Sequence, residues 1–229
     1  MKAIHLMATL MVVTSLAACS SAPQKTLTEE KHEDLQRDYR VVDASSQKRP
    51  GWIEDAQQWA QENGHQVETY RFFSFETDPK TNRELACSLA KANARVDVAA
   101  EITTFIQKSL GYSAEGAPTA DGVNAPQVRE FVENTLAEKV QAMLHGVSVI
   151  KSYWEKRNYD VSLGAPGNYS AYTCAVLLRM EANALKNAIN KAAQDVVKAA
   201  NDPDTKANVK EALKNIDQDF LKARTGEIK

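Results

Sequence analysis

The chain has 229 residues, 43% of them hydrophobic and 25% charged, with a net charge of −2. That is enough for one domain with extensions and an ordinary composition for a soluble globular body. Charges of both signs are interspersed, so no basic footprint argues for a nucleic-acid partner.

The N-terminus is a leader. Lys2 supplies a positive start, and Ile4 to Ala18 is apolar apart from His5, Thr9, Thr14 and Ser15. A bilayer span needs about 20 apolar residues, so residues 1–18 read as an export signal that is removed and plays no part in the fold. Leu16-Ala17-Ala18-Cys19 resembles the lipobox of bacterial lipoproteins, in which the cysteine is acylated and becomes the first mature residue. Each acyl CH₂ buried in a bilayer contributes about 0.8 kcal/mol, and more than one chain gives stable anchoring. Ser20, where such lipoproteins would carry Asp for inner-membrane retention, points to the outer membrane, facing the periplasm. Residues 19–49 are polar and poor in aromatics, the composition of a flexible linker.

The body is expected to begin at Pro50-Gly51-Trp52. Ile53 to Ala60 suggests a short helix, with Trp52 and Trp59 covering a core edge. Val67 to Glu76 (VETYRFFSFE) is aromatic and β-rich, a strand. Asp78-Pro79 and the candidate capping box Thr81-x-x-Glu84 announce a long helix. Its apolar stripe is read as Leu85, Leu89, Ala92, Val96, Ala99, Ile106 and Leu110. Gly111 to Ala125 is a Gly/Pro/Ser loop. Pro126 opens a second helix, with Val128, Phe131, Val132, Leu136, Val140 and Leu144 on one face, and Gly146 ends it.

Val147 to Tyr159 and Asn168 to Met180 read as the two strands of a long hairpin. Tyr172, Cys174, Val176, Leu178 and Met180 share one face by period two, so Cys174 points toward the helices. Ala182 to Ala200 is an alanine-rich helix, Asn201 to Asp204 breaks it, and a last amphipathic helix in 201–229 carries Val209, Leu213, Ile216 and Phe220. The expected class is α+β: a small, mainly antiparallel three-stranded sheet with long helices on one face, plus C-terminal helices. The main domain is placed at 50–200.

With Cys19 acylated, Cys87 and Cys174 remain, too far apart in sequence for a zinc pair. Two readings stand, buried thiols or a disulfide; the disulfide is the one expected in an oxidising compartment, and closing so long a loop would contribute about 4–5 kcal/mol.

Chemical motifs are lacking. His32, His65 and His145 are isolated, and no P-loop, G-x-S-x-G or dinucleotide fingerprint occurs. No metal, cofactor or catalytic residue is expected, and the chain is read as a non-enzyme. Glu76 with Asp78, and Glu54 with Asp55, are the best-placed carboxylates; helix capping explains Asp78 and a solvated face the rest. Tyr153, Trp154, Tyr159 and Tyr169 gather on the hairpin strands, where only one face can be core, so they form a candidate contact surface for protein or glycan.

The segments RPGWIEDA, ELACSLAKANARVDVAAEI, VSVIKSYWEK and YTCAVLLRM, with the lipidated leader, resemble the Lpp-twenty type of bacterial envelope lipoproteins, a group with a flagellum-associated member. The similarity runs over residues 50–200. It implies an α+β domain on an outer-membrane anchor, structural roles in envelope or flagellar assemblies, and self-association into homo-oligomers. Only Cys19 matches a functional position of that family. Together these readings suggest an outer-membrane-anchored assembly component that works through protein–protein contacts. Activation of a peptidoglycan synthase is the alternative, and a lipid-anchored peptidoglycan hydrolase a more distant one.

Overall fold

The hairpin in the middle of the chain organises the molecule. A computed structural model describes residues 37–111 and 125–225. In it, β3 (Ser148–Tyr159) and β4 (Tyr169–Glu181) pair antiparallel from Ser148↔Arg179 to Tyr159↔Tyr169, with a bulge between Val149 and Lys151. A short 3-10 turn at Val161–Leu163 joins them. It closes on Gly164 at φ +100°, a conformation that residues with a Cβ rarely adopt. Strand β2 (Tyr70–Glu76) pairs with the far side of β4.

A fourth strand, β1 (Tyr39–Ala44), pairs with β3, giving the order β1-β3-β4-β2. The α+β class is as expected, but the sheet has four strands rather than three. Part of the 19–49 stretch read as linker is thus sheet, and the domain begins before residue 50. Tyr39, Val41 and Val42 supply the β-branched and aromatic residues that a strand favours.

On one face of the sheet lies α2 (Arg83–Ser109), followed by α3 (Pro126–Asn134), α4 (Leu136–Met143), α5 (Ala182–Ala199), α6 (Pro203–Ala212) and α7 (Ile216–Arg224). Cys174, Val176, Leu178 and Met180 of β4 face this layer and are buried, as period two requires. Val209, Leu213, Ile216 and Phe220 belong to the same core. The 201–229 stretch is therefore not an appendage to a 50–200 domain, but part of it as far as it is described. Its helix is broken in two, because Asn215 adopts φ +60°, a left-handed conformation that Asn tolerates better than most residues. Asp202 caps α6 by accepting from the Thr205 amide at 2.7 Å.

In α2 the buried stripe is Ala86, Ala90, Ala94, Val98, Ile102 and Ile106, while Leu85 and Val96 stay 42% and 45% exposed. The expected stripe was offset toward its N-terminal half. Small residues win there because α2 lies close against β4. The cap is Asn82, which accepts from the Leu85 amide, rather than the Thr81–Glu84 box.

The second face is covered too. The 3-10 turn Gly51–Ile53 and α1 (Ala56–Glu62) bury Trp52, Ala56 and Ala60 against Phe72, Tyr153, Ala175 and Leu177. Helical cover on one face only was too simple. Among the described residues, no helix is long and apolar enough to cross a membrane.

Candidate functional site

Cys87, on the first turns of α2, meets Cys174 on the helix-facing side of β4. Their sulfurs are bonded at 2.11 Å and their Cα atoms lie 5.0 Å apart. The alanine stripe lets the helix come near enough for this. Cys19 and the leader lie outside the described residues, as does most of the Gly111–Ala125 loop.

The four hairpin aromatics do not form one exposed patch. Strand alternation divides them: Tyr153 and Tyr159 point to the second face, where they are buried, with only 4% and 7% of their surface exposed. Trp154 points to the helix side and is half-buried beside Tyr172, with the Arg83 guanidinium 5.0 Å above its ring. Tyr169 alone is largely exposed, and it stacks on Tyr159 with centroids 4.5 Å apart. Tyr153 and Tyr159 therefore cannot serve as contact residues.

They border a buried charge cluster instead. Residues 153, 155, 157 and 159 of β3 share the second face, and their β4 neighbours there are Ala171, Thr173 and Ala175. These small side chains leave room for guanidinium groups. Arg157 donates through Nε and Nη2 to Glu155 Oε1 at 2.7 and 2.6 Å, and through Nη2 to Glu76 Oε1 at 2.7 Å. Arg49 arrives from the segment after β1 and grips Glu76 with two bonds, at 2.6 and 3.2 Å. It also reaches Glu54 at 3.1 Å and Glu155 at 3.5 Å. The Tyr153 hydroxyl donates to Glu155 Oε2 at 2.9 Å. Such charge-assisted, partly bidentate bonds are the strong kind.

This cluster joins two of the carboxylates singled out in the sequence, Glu54 and Glu76, through a shared arginine, and leaves out Asp78, which is exposed. Burial alone would push the Glu76 carboxyl up, but the hydrogen bonds and charge of Arg49, with Arg157, outweigh that and hold it below the ordinary range. A carboxylate so held stays ionised at neutral pH. That suits a brace better than a general acid, for which a raised value is wanted. Sequence reading missed Arg49, Glu155 and Arg157. The available signal was Glu155 and Arg157 two apart in a strand whose same face carries tyrosines.

The Tyr153 phenol is pushed up from 10.0 to about 12 by burial and by donating to Glu155. A raised folded value means that the folded state keeps its proton while the unfolded chain loses it. This increment of stability is present below pH 10 and is lost as pH rises toward 12. Urea midpoints measured across that window should fall more steeply in the parent chain than in Tyr153→Phe; equal slopes would contradict the assignment.

A cleft of about 530 Å³ lies at the outer edge of β2, with Phe73, Ser74 and Phe105 among its lining residues. Among the described residues no cluster of His, Cys, Asp or Glu could hold a metal ion. Compared with protein-family models, curated proteins and solved structures, the chain matches none.

Proposed function

We propose that this chain is an envelope lipoprotein, held by acyl chains on Cys19 at the periplasmic face of the outer membrane, and that it acts by contact as an assembly component. The observation that carries this reading is the Cys87–Cys174 bond. Structural disulfides persist in oxidising compartments and are rare in the cytosol, so the bond agrees with the export leader ahead of Cys19. A tether raises the local concentration of the domain near its partners, so a modest interface suffices. Surfaces open for contact include the outer edge of β1, with Val41 and Val42 exposed, and Tyr169.

Replacing Cys19 by Ser tests the address. The parent chain should fractionate with the outer membrane, and its intact mass should show the loss of residues 1–18 and the gain of acyl groups. Cys19→Ser should lack the acyl mass and leave the membrane fraction. A variant that stays membrane-bound would defeat the anchor. Crosslinking in cells then separates roles: envelope or flagellar proteins, or further copies of the chain, favour assembly, whereas a peptidoglycan synthase as main partner would favour the activator reading.

A further inference from the structure

Strand β2 is an edge of the sheet, and its outer side is only partly protected. Thr77 donates its amide to the Cys174 carbonyl and Ala182 donates to the Thr69 carbonyl, which fixes the odd-numbered residues of β2 as those bonded to β4. The main-chain groups of Phe72 and Ser74 therefore face outward. Phe72 is satisfied: its amide donates to Gln57 Oε1 at 3.0 Å, and its carbonyl accepts from Arg224 at 3.0 Å. Ser74 is not. Only its hydroxyl is engaged, donating to the Ile53 carbonyl at 3.1 Å. Among the described residues its outward amide and carbonyl have no partner, and the residue lines the 530 Å³ cleft.

The two walls of that cleft belong to opposite faces of the sheet. On the side of the six-helix layer stands the half-buried Phe105, packed edge-to-face at 5.3 Å on the buried Phe220, with Ala223 and the exposed Lys108 beside it. On the other side stand Glu54 and Asp55, both exposed, between the 3-10 turn and α1. Each has one oxygen engaged within the chain, Glu54 Oε1 by Arg49 at 3.1 Å and Asp55 Oδ1 by the Gln58 amide at 2.8 Å, and the other oxygen is left to a partner. A strand laid along β2 would send alternate side chains to these two walls. One set would meet aromatic surface and the other carboxylates. Natural edge strands are usually covered, and an uncovered stretch is a template for a further strand.

We propose that this cleft is a docking site for an extended peptide segment of a partner, with apolar and cationic residues at alternating positions. Its main chain pairs with Ser74, its apolar side chains lie on the half-buried Phe105, and its cations face Glu54 and Asp55. The cap that Gln57 and Arg224 place on Phe72 sets one end of the register. This deepens the contact reading by naming a partner class. Its test is made in solution and does not depend on the anchor, so its result is separate from that of Cys19→Ser.

The probe is a fluorescein-labelled, amidated Val-Lys-Phe-Lys-Val peptide, titrated with the full chain and read by fluorescence anisotropy. Ser74→Ala removes the hydroxyl but keeps the amide, and should bind within about twofold of the parent. Ser74→Pro deletes an amide that the β4 ladder does not use, a position where an edge strand tolerates proline; with the amide bond gone, affinity should fall about tenfold or more. Thr104→Trp, on the exposed wall of α2, obstructs the cleft without touching the ladder, and should cause a similar loss even if the proline variant folds poorly. The acidic counterpart Val-Glu-Phe-Glu-Val should bind more weakly than the lysine peptide. No saturable binding, equal binding by Ser74→Pro and Thr104→Trp, or equal affinity for the acidic peptide would each overturn the proposal. So would chain-concentration-dependent dimerisation that Ser74→Pro abolishes, since the occupant would then be a second copy.

Discussion

Loss of the Cys87–Cys174 bond is expected to destabilise the domain by about 4–5 kcal/mol. The sequence separation of the bonded residues is 87, and cross-linking so long a loop removes that much conformational freedom from the unfolded chain in the entropy model. For a domain of this size each kcal/mol corresponds to about 2–4 °C, so the midpoint should fall by about 8–20 °C. The double variant Cys87→Ala with Cys174→Ala should show this drop and become insensitive to reductant, whereas the parent should show it only when reduced. Cys174 is completely buried, so Cys174→Ser would add the desolvation of a hydroxyl, about 1–3 kcal/mol. The bond ties the start of α2 to the central strand β4, so the reduced protein should first lose protection from hydrogen exchange in the first turns of that helix. Two thiols alkylated without reductant, or a midpoint indifferent to reduction, would remove the brace and weaken the case for export.

The parts of the fold that sequence disclosed are those where local periodicity and burial agree. In β4 the inward face can be read because residues 172, 174, 176, 178 and 180 are all bulky or sulfur-bearing and share a period of two. α5 was legible from its alanine content, and in the structure Leu185, Ile189 and Val196 are buried on it. α2 misleads because size and burial part company. Leu85 and Val96 are its larger apolar residues near the start, but contact with the sheet selects Ala86, Ala90 and Ala94. β1 was invisible for another reason. It pairs with β3 more than a hundred residues later, and its neighbours in sequence are polar. The charge cluster was hidden because Glu155 and Arg157 read singly as a solvated face; only the small residues on the adjacent strand make space to bury them.

That cluster carries the other large expected effect. Arg157→Ala would leave Glu155, only 1% exposed, without its closest cation, and would take one of two guanidinium groups from Glu76. Stranding a buried charge costs about 3–5 kcal/mol, visible as a lowered urea midpoint at neutral pH. Removing Arg157 and Glu155 together, with the Arg49–Glu76 pair left in place, should cost far less. Arg157→Met combined with Glu155→Leu and Tyr153→Phe replaces the buried polar atoms by apolar ones, and such exchanges are often neutral or even stabilising. The pH dependence gives a second readout of the Arg157 contact with Glu76. Because Glu76 is held below its ordinary value in the folded state, its contribution is present above 4.5 and is lost as pH falls through the folded value. Arg157→Ala lifts that folded value, so acid unfolding followed by circular dichroism should begin at higher pH than in the parent. If Arg157→Ala were as stable as the triple variant, with an unshifted acid limb, the cluster would be an exposed-type ion pair worth little, and Arg49 would not depend on it to hold the segment between β1 and the 3-10 turn against the sheet.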